Sequence, residues 1–181
     1  MDALEVLAHD HRMVEQLFRD YDAAASDRQR RGVVELLVRE LSKHAALEEM
    51  LVYPLAGKVL PDGAREVDEH LNEHMAVKKT LLALDRLEEG DRRTDELVAE
   101  LRREVEEHIR EEEGVFMPRL RGCVSQQDLD GLGELIVRAK RDAPTRPHPN
   151  APDEPPALIL AAPLAAAYDR LRDRLQRRPQ T

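Results

Sequence analysis

Histidine and glutamate residues recur along the chain at spacings that suit metal binding. Two pairs follow the pattern His-x-x-x-Glu, which places both side chains on one face of a helix, one turn apart. A third pair consists of two histidines at the same spacing. Imidazole nitrogens and carboxylate oxygens are ligands for first-row transition metals. The candidate metal ligands are His11, His44, Glu48, His70, His74, His108 and Glu112.

These candidates belong to an internal repeat in which residues 1–60 align with residues 64–123. The aligned pairs are His11/His74, His44/His108 and Glu48/Glu112, at offsets of 63, 64 and 64. The surrounding sequence agrees, since HAALEEMLVYP aligns with HIREEEGVFMP. The repeat predicts two helical hairpins, each with a histidine on its first helix and a His-x-x-x-Glu pair on its second. Packed face to face, they direct six polar side chains at one axis.

The candidates lie on the apolar faces of their predicted helices. Burying a carboxylate or an imidazolium costs several kcal/mol, roughly, unless the group is paired or binds a metal. A single buried histidine is readily explained as a neutral core residue bonded to a carbonyl oxygen. Six such positions related by a repeat favour a metal site instead.

His70 breaks the symmetry of the repeat, because its counterpart is the apolar Leu7. Five histidines and two glutamates are too many ligands for one tetrahedral zinc ion, but they suit two adjacent metals. If both glutamates and one water-derived oxygen bridge the metals, the metal with three histidines is six-coordinate. The metal with two histidines is then five-coordinate, and its open position suits a diatomic molecule or peroxide.

The complete spacing resembles that of the hemerythrin family, in its bacterial His-His-Glu (HHE) cation-binding form. The resemblance covers residues 1 to about 122. It implies a non-haem di-iron centre, with two iron ions, bridging carboxylates and an oxygen-derived bridge. It also implies activities around dioxygen, nitric oxide, peroxide or iron sensing.

One position departs from the oxygen carriers of that family. Those proteins place the last carboxylate, an aspartate, five residues after its histidine, whereas here the fourth residue is Glu112 and the fifth is Glu113. Glu112 aligns with Glu48 in the repeat, and it lies four residues after His108, on the same helix face. Both facts favour Glu112 as the ligand, and Glu113 is the alternative.

The elements that position these residues are predicted to be helices. The apolar positions at 3.6-residue spacing span residues 4–21, 34–55, 67–87, 97–120 and 129–139. Asp2 and Ser125 are predicted N-caps, Pro54 is expected to kink the second helix, and residues 61–63 form a turn. The fold class is therefore all-α, an up-and-down four-helix bundle with a short fifth helix.

A composition change near residue 142 divides the chain into two predicted parts. Residues 1–142 form the metal-binding bundle, and residues 143–181 form a tail. Six prolines between Pro144 and Pro156 predict an extended linker. Leu164, Tyr168, Leu171 and Leu175 then predict an amphipathic helix that docks on the bundle or on a protein partner.

Composition excludes several classes of protein. Charged residues make up 36% and aromatic residues only 3%, which disfavours a β-sandwich or barrel. The net charge of −9 argues against nucleic acid or an anionic membrane as a partner. The single cysteine, Cys123, cannot form an internal disulfide. With neither a signal peptide nor a long apolar run, the protein is expected to be cytoplasmic.

Residues beside the candidate ligands receive weaker interpretations. Tyr53 is expected to pack at a kinked helix end rather than to act as a hydrogen-bond donor at the site. Glu49 and Glu113 are either partners of ligating histidines or solvated residues. Asp10 and Glu73 point about 100° away from the ligands that follow them, and are expected at the surface.

Three functions remain compatible with the sequence. The first is a di-iron protein that binds or turns over dioxygen, peroxide or nitric oxide, and as an enzyme it would be an oxidoreductase acting on peroxide or nitric oxide. The second is an oxygen or iron sensor that signals through the C-terminal helix. The third is a structural zinc site without turnover.

Overall fold

The computed structural model describes residues 1–149, and all regular structure in that range is helical. The α-helices are α1 (Ala3–Ala23), α2 (Asp27–Leu47), α3 (Tyr53–Val59), α4 (Gly63–Asp85), α5 (Thr94–Glu111), α6 (Met117–Cys123) and α7 (Gln126–Ala139). Two π-helical turns join them, π1 (Glu48–Val52) between α2 and α3, and π2 (Glu112–Phe116) between α5 and α6. The all-α fold is confirmed.

Both predicted N-caps are confirmed. Asp2 forms a capping box with Glu5, in which the Glu5 amide donates to Asp2 Oδ1 (3.0 Å) and the Asp2 amide donates to Glu5 Oε2 (2.9 Å). Ser125 caps α7 by accepting from the Asp128 amide. Burial works to raise the pKa of Asp2, but hydrogen bonds from Arg121 and Gln126 lower it to about 2. The start of α1 is therefore tied to α6 and α7.

The second helix passes through a π turn just before Pro54, the residue predicted to kink it. Proline lacks the amide that would bond four residues back, and its ring collides with that carbonyl. The turn π1 relieves this by closing the Tyr53 amide onto the Glu48 carbonyl, five residues back. The second half of the repeat contains the same turn, because the Met117 amide donates to the Glu112 carbonyl and Pro118 follows.

Four long helical segments form the bundle: α1, α2–π1–α3, α4 and α5–π2–α6. Helix α1 packs against α2, α4 packs against α5, and α2 packs against α4. Helix α7 lies along α1, and Gly133 permits this approach, because a Cβ there would stand 2.6 Å from the Met1 carbonyl oxygen. The short fifth helix thereby covers the segment that carries His11.

Two apolar clusters enclose a polar layer in the middle of the bundle. One cluster gathers the start of α1 with π1, α3, π2, α6 and α7, around Leu7, Leu51 and Phe116. The other gathers the rest of α1 with α2, α4 and α5, around Leu37 and Leu81. The candidate ligands lie between them, out of contact with bulk water.

The predicted tail is described only at its start. Residues 144–149 are not helical, as the prolines predict, and Arg146 forms an ion pair with Asp85 of α4. The predicted C-terminal helix lies outside the described residues, so that helix, its docking role and the boundary at 142 stay predictions. Within residues 1–149, no helix is both long and apolar enough to cross a membrane.

Candidate metal centre

All of the predicted ligands meet inside the bundle. Helix α1 contributes one, α2 with π1 contributes two, α4 contributes two, and α5 with π2 contributes two. None of their side chains exceeds 7% exposure, and both glutamates are fully buried. These residues are His11, His44, Glu48, His70, His74, His108 and Glu112.

The spacing between donor atoms matches that of ligands around a common metal. His44 Nε2 lies 3.1 Å from His11 Nε2 and 3.1 Å from Glu48 Oε1. His74 Nε2 lies 3.1 Å from Glu48 Oε2. With metal–ligand bonds of about 2.1 Å, neighbouring ligands stand about 3.0 Å apart in an octahedron and about 3.4 Å apart in a tetrahedron. These distances, and the 3.2 Å between His11 Nε2 and Glu112 Oε2, lie in the range expected for ligands of one metal.

The histidine rings divide into two groups. The centroids of His11 and His44 are 4.8 Å apart. The ring of His108 is 4.9 Å from that of His74 and 5.7 Å from that of His70. Between the groups the separations are larger, since His108 is 6.2 Å from His11 and 6.5 Å from His44. The ring of His108 therefore lies nearer to the two histidines of α4 than to those of α1 and α2.

Several donor atoms at the centre lack a partner among the described residues. Glu48 Oε1, both carboxylate oxygens of Glu112 and His108 Nε2 are buried without a hydrogen bond. One donor atom from each of five residues lies within 4.8 Å of the others, and these residues are His11, His44, Glu48, His108 and Glu112. Burying carboxylate oxygens without hydrogen-bond donors costs free energy, and a cation bound at this point offsets that cost. The residues present therefore fit a metal.

Glu112 and Glu113 occupy different places. Glu112 Oε2 points into the centre, 3.2 Å from His11 Nε2 and 3.6 Å from His108 Nε2. Glu113 lies outside, where Oε1 accepts from His11 Nδ1 at 2.7 Å, and its side chain is 31% exposed. Glu112 is thus the residue that faces the other candidate ligands.

A second set of carboxylates surrounds the histidines and follows the same repeat. His11 Nδ1 donates to Glu113, and His74 Nδ1 donates to Glu49 at 2.9 Å. Because a carboxylate only accepts, each contact leaves the Nε2 atom of the ring directed at the centre. Glu49 and Glu113 are therefore partners of histidines rather than solvated residues.

The surface position predicted for Asp10 was wrong. Asp10 is 2% exposed, and its Oδ2 lies 3.7 Å from His44 Nδ1. The side chain of Glu73 is 35% exposed, and it also accepts from His108 Nδ1 at 3.0 Å. Each of these carboxylates, turned away from the ligand that follows it, contacts the ligand of an adjacent helix. The signal was present in the sequence, since these two residues align at the same offset as the histidines that follow them.

We call Asp10, Glu49, Glu73 and Glu113 the outer carboxylates. A basic side chain neutralises three of these four. Lys140 at the end of α7 pairs with Asp10, Lys78 with Glu49 at 2.7 Å, and Arg12 with Glu113. In the part of the chain that the structure describes, Glu73 has no ion pair with lysine or arginine. Glu73 thus differs from its repeat counterpart, Asp10, which pairs with Lys140.

The carboxylates control the charge of the histidines. Burial works to lower the pKa of His44, but the negative charge of Glu48 and contact with Asp10 raise it to about 10. Burial opposes protonation of His74 as well, yet Glu48 and Glu49 raise its pKa to about 9. A metal that binds here displaces protons from both rings, so rising pH favours its binding.

Tyr53 lies at the centre, although its spacing favoured a packing role at a helix end. Its hydroxyl is 3.0 Å from His74 Nε2 and 3.5 Å from Glu48 Oε2, and its ring stacks on His70. Burial and the charges of Glu48 and Glu112 raise the pKa of Tyr53. The phenol is therefore neutral and able to donate. Phe116 packs edge-on against it and lines the core.

A small apolar cavity adjoins the histidines on the side away from Tyr53. Val14, Leu41, Val77, Val105 and Ile109 line it together with His11, His44, His74 and His108. Its volume is about 20 Å³, which is room for one molecule of the size of water. The two histidines outside the ligand set, His9 and His148, are exposed, as is the single cysteine, Cys123.

Comparison with known proteins gives a consistent result. The family model described as the hemerythrin HHE cation binding domain matches residues 2–120, the segment that carries every candidate ligand. An uncharacterised hemerythrin-like protein of Schizosaccharomyces pombe is 29% identical over 182 residues, covering 97% of this chain and 87% of that protein. No solved structure matches the chain.

Proposed function

The chain belongs to the hemerythrin family with its HHE cation-binding domain, and from this premise we propose that it is a non-haem di-iron protein that binds a small oxygen or nitrogen species. The species is dioxygen, peroxide or nitric oxide. The choice of iron rests on the family, because by affinity alone a histidine and carboxylate site favours copper, and often zinc, over ferrous iron.

The observation that carries this proposal is the position of the Glu48 carboxylate. Its two oxygens face different histidine groups, with Oε1 at 3.1 Å from His44 Nε2 and Oε2 at 3.1 Å from His74 Nε2. A carboxylate in that position would be able to bridge two metals. We assign one iron to His11 and His44. We assign the other iron to His70, His74 and His108. Glu112 is assigned as the second bridging carboxylate.

The bound di-iron pair would supply redox chemistry and an open coordination position, on the iron that has only two histidines. The protein residues orient and insulate that pair. The outer carboxylates fix the ring orientation of their histidines and increase their basicity as ligands. The Tyr53 hydroxyl, neutral and buried, can donate a hydrogen bond to a group held beside His74.

The apolar cavity supports a substrate with two non-hydrogen atoms. Its volume of about 20 Å³ excludes an organic substrate, and its aliphatic walls suit a neutral molecule. It touches His11 and His44, assigned to the iron with the open position, and also His74 and His108 of the other iron. Size and polarity therefore agree with dioxygen, nitric oxide or hydrogen peroxide.

Elemental analysis after expression with abundant iron tests the metal assignment. We expect two iron atoms per chain, an absorption band of an oxo-bridged ferric pair in the near ultraviolet, and a change of that spectrum on adding azide. One metal per chain, or mainly zinc, would overturn the proposal and favour the structural site. Steady-state consumption of hydrogen peroxide or nitric oxide by the loaded protein then separates an enzyme from a sensor.

A further inference from the structure

An acidic cavity of about 360 Å³ opens between α4 and α5. Five glutamates line it together with Arg110 and His70. The glutamates are Glu66, Glu69, Glu73, Glu107 and Glu111. The lining has a net charge of −4, counted as five carboxylates and one guanidinium with the histidine neutral.

Neighbouring arginines neutralise only part of this charge. Arg119 pairs with Glu66, and Arg65 pairs with Glu69, both at 2.6 Å. Within residues 1–149, no lysine or arginine forms an ion pair with Glu73, Glu107 or Glu111. The three carboxylates therefore give the cavity a negative potential that attracts cations.

The inner end of the cavity holds a buried donor without a partner. His70 is 2% exposed, lines the cavity, and has no hydrogen bond at Nδ1. Glu73 Oε2 lies 3.4 Å from that nitrogen and 3.0 Å from His108 Nδ1. Donor atoms of these three residues thus converge within 4.8 Å, as ligands of a cation would.

This inner end is one imidazole ring away from the metal centre. His108 presents Nδ1 to Glu73, and its Nε2 lies 3.6 Å from Glu112 Oε2. At the other outer carboxylates, Lys140, Lys78 or Arg12 already supplies the positive charge. Glu73 is the one outer carboxylate of the described chain that a mobile cation can approach without displacing a fixed one.

We propose that the acidic cavity captures a divalent cation and is the route by which Fe²⁺ reaches the metal centre. Glu107 and Glu111, one turn apart on α5, concentrate the ion at the mouth. Glu73 and the unpartnered Nδ1 atom of His70 hold it at the inner end. The inference rests on the proposed function, because a route has meaning only where a metal centre lies at its end.

The test compares the rate at which metal-free, full-length protein takes up Fe²⁺ without oxygen, with uptake stopped at intervals by a ferrous chelator. The variant Glu107→Gln/Glu111→Gln removes two mouth charges and leaves every assigned ligand in place. The control Glu88→Gln/Glu89→Gln makes the same charge change on exposed residues beyond the end of α4.

We expect the mouth variant to load about tenfold more slowly at low salt, with the difference shrinking at high salt. Its final iron content should equal that of the wild type, and the control should load at the wild-type rate. Equal rates for all three proteins, or equal slowing in the control, would overturn the route. A lower final iron content in the mouth variant would also overturn it, because the two glutamates would then belong to the centre. Wild-type protein that takes up no iron would instead refute the proposed function.

Discussion

Glu49→Gln isolates the contribution of an outer carboxylate to metal affinity. The change keeps the size of the side chain and an acceptor oxygen for His74 Nδ1, but it removes the negative charge. His74 then becomes a weaker ligand, since its ring loses the charge that makes Nε2 more basic. We expect weaker metal binding in a correctly folded protein.

The structure predicts how the loss of metal affinity in Glu49→Gln compares with the loss at its repeat counterpart, Glu113. Loss of a carboxylate behind a ligating histidine lowers metal affinity about 10- to 100-fold, or about 1.4 to 2.7 kcal/mol. Glu49 is 11% exposed, so little water replaces its charge, and we expect a loss near 100-fold. Glu113→Gln, at a side chain that is 31% exposed, should lose nearer tenfold.

The assay is an anaerobic titration of metal-free protein with Fe²⁺ against a coloured chelator. Glu35→Gln is the control, because that residue is 58% exposed and pairs only with Arg31 on the surface of α2. An unchanged affinity in Glu49→Gln, or the same loss in the control, would refute the role given to the outer carboxylates. A larger loss in Glu113→Gln than in Glu49→Gln would refute the argument from burial.

The same variant changes how the stability of the metal-free protein depends on pH. The pKa of His74 is raised from 6.5 to about 9 by Glu48 and Glu49 against the opposing effect of burial. A raised pKa stabilises the fold fully below about 6.5, and that stabilisation is lost as the pH rises through about 9. Glu49→Gln should flatten this loss, which denaturant titrations between pH 6 and 10 measure. An identical pH slope in wild type and variant would contradict the coupling.

Three further predictions follow from the described contacts. Gly133→Ala should lower stability by about 1 to 3 kcal/mol because its Cβ meets the backbone of Met1, whereas Gly131→Ala, with open space, should raise it by up to about 1 kcal/mol in thermal melts. Asp2→Asn should cost about 2 kcal/mol at pH 7, a difference present above pH 3.8 and lost as the pH falls through about 2. His44→Ala should lose about half of the iron by elemental analysis, and His70→Leu should retain both ions with an altered azide spectrum. Equal, complete loss in both would contradict the assignment of the two irons.

The bundle and the convergence of the ligand set were predictable because both depend on periodicity. His44 and Glu48 are four residues apart, and that spacing alone places them on one face of a helix. The offset between His11 and His74 then relates the two hairpins, whatever their loops do. Neither inference depends on the distances between helices. Neither depends on exact helix ends, so errors in the predicted boundaries did not affect them.

The outer carboxylates depend on how helices pack, which one helix at a time does not reveal. Asp10 points away from the face of His11, and on an isolated helix that direction leads to water. In the bundle it leads to His44 of α2, and Lys140 of α7 completes the contact. The repeat supplied the missing information, because a carboxylate preserved at Glu73 beside the second histidine is unexpected of a solvated surface.

Tyr53 shows why a strict 3.6-residue period fails at the centre itself. Five residues along an α-helix is a rotation of about 500°, which would turn Tyr53 about 140° away from Glu48. The turn π1 closes over five residues, so Tyr53 returns to the face of Glu48 and its hydroxyl reaches His74. Proline follows the candidate glutamate ligand by six residues in both halves, at Pro54 and at Pro118. In this chain that proline forces the π turn, and the π turn brings the phenol to the metal centre.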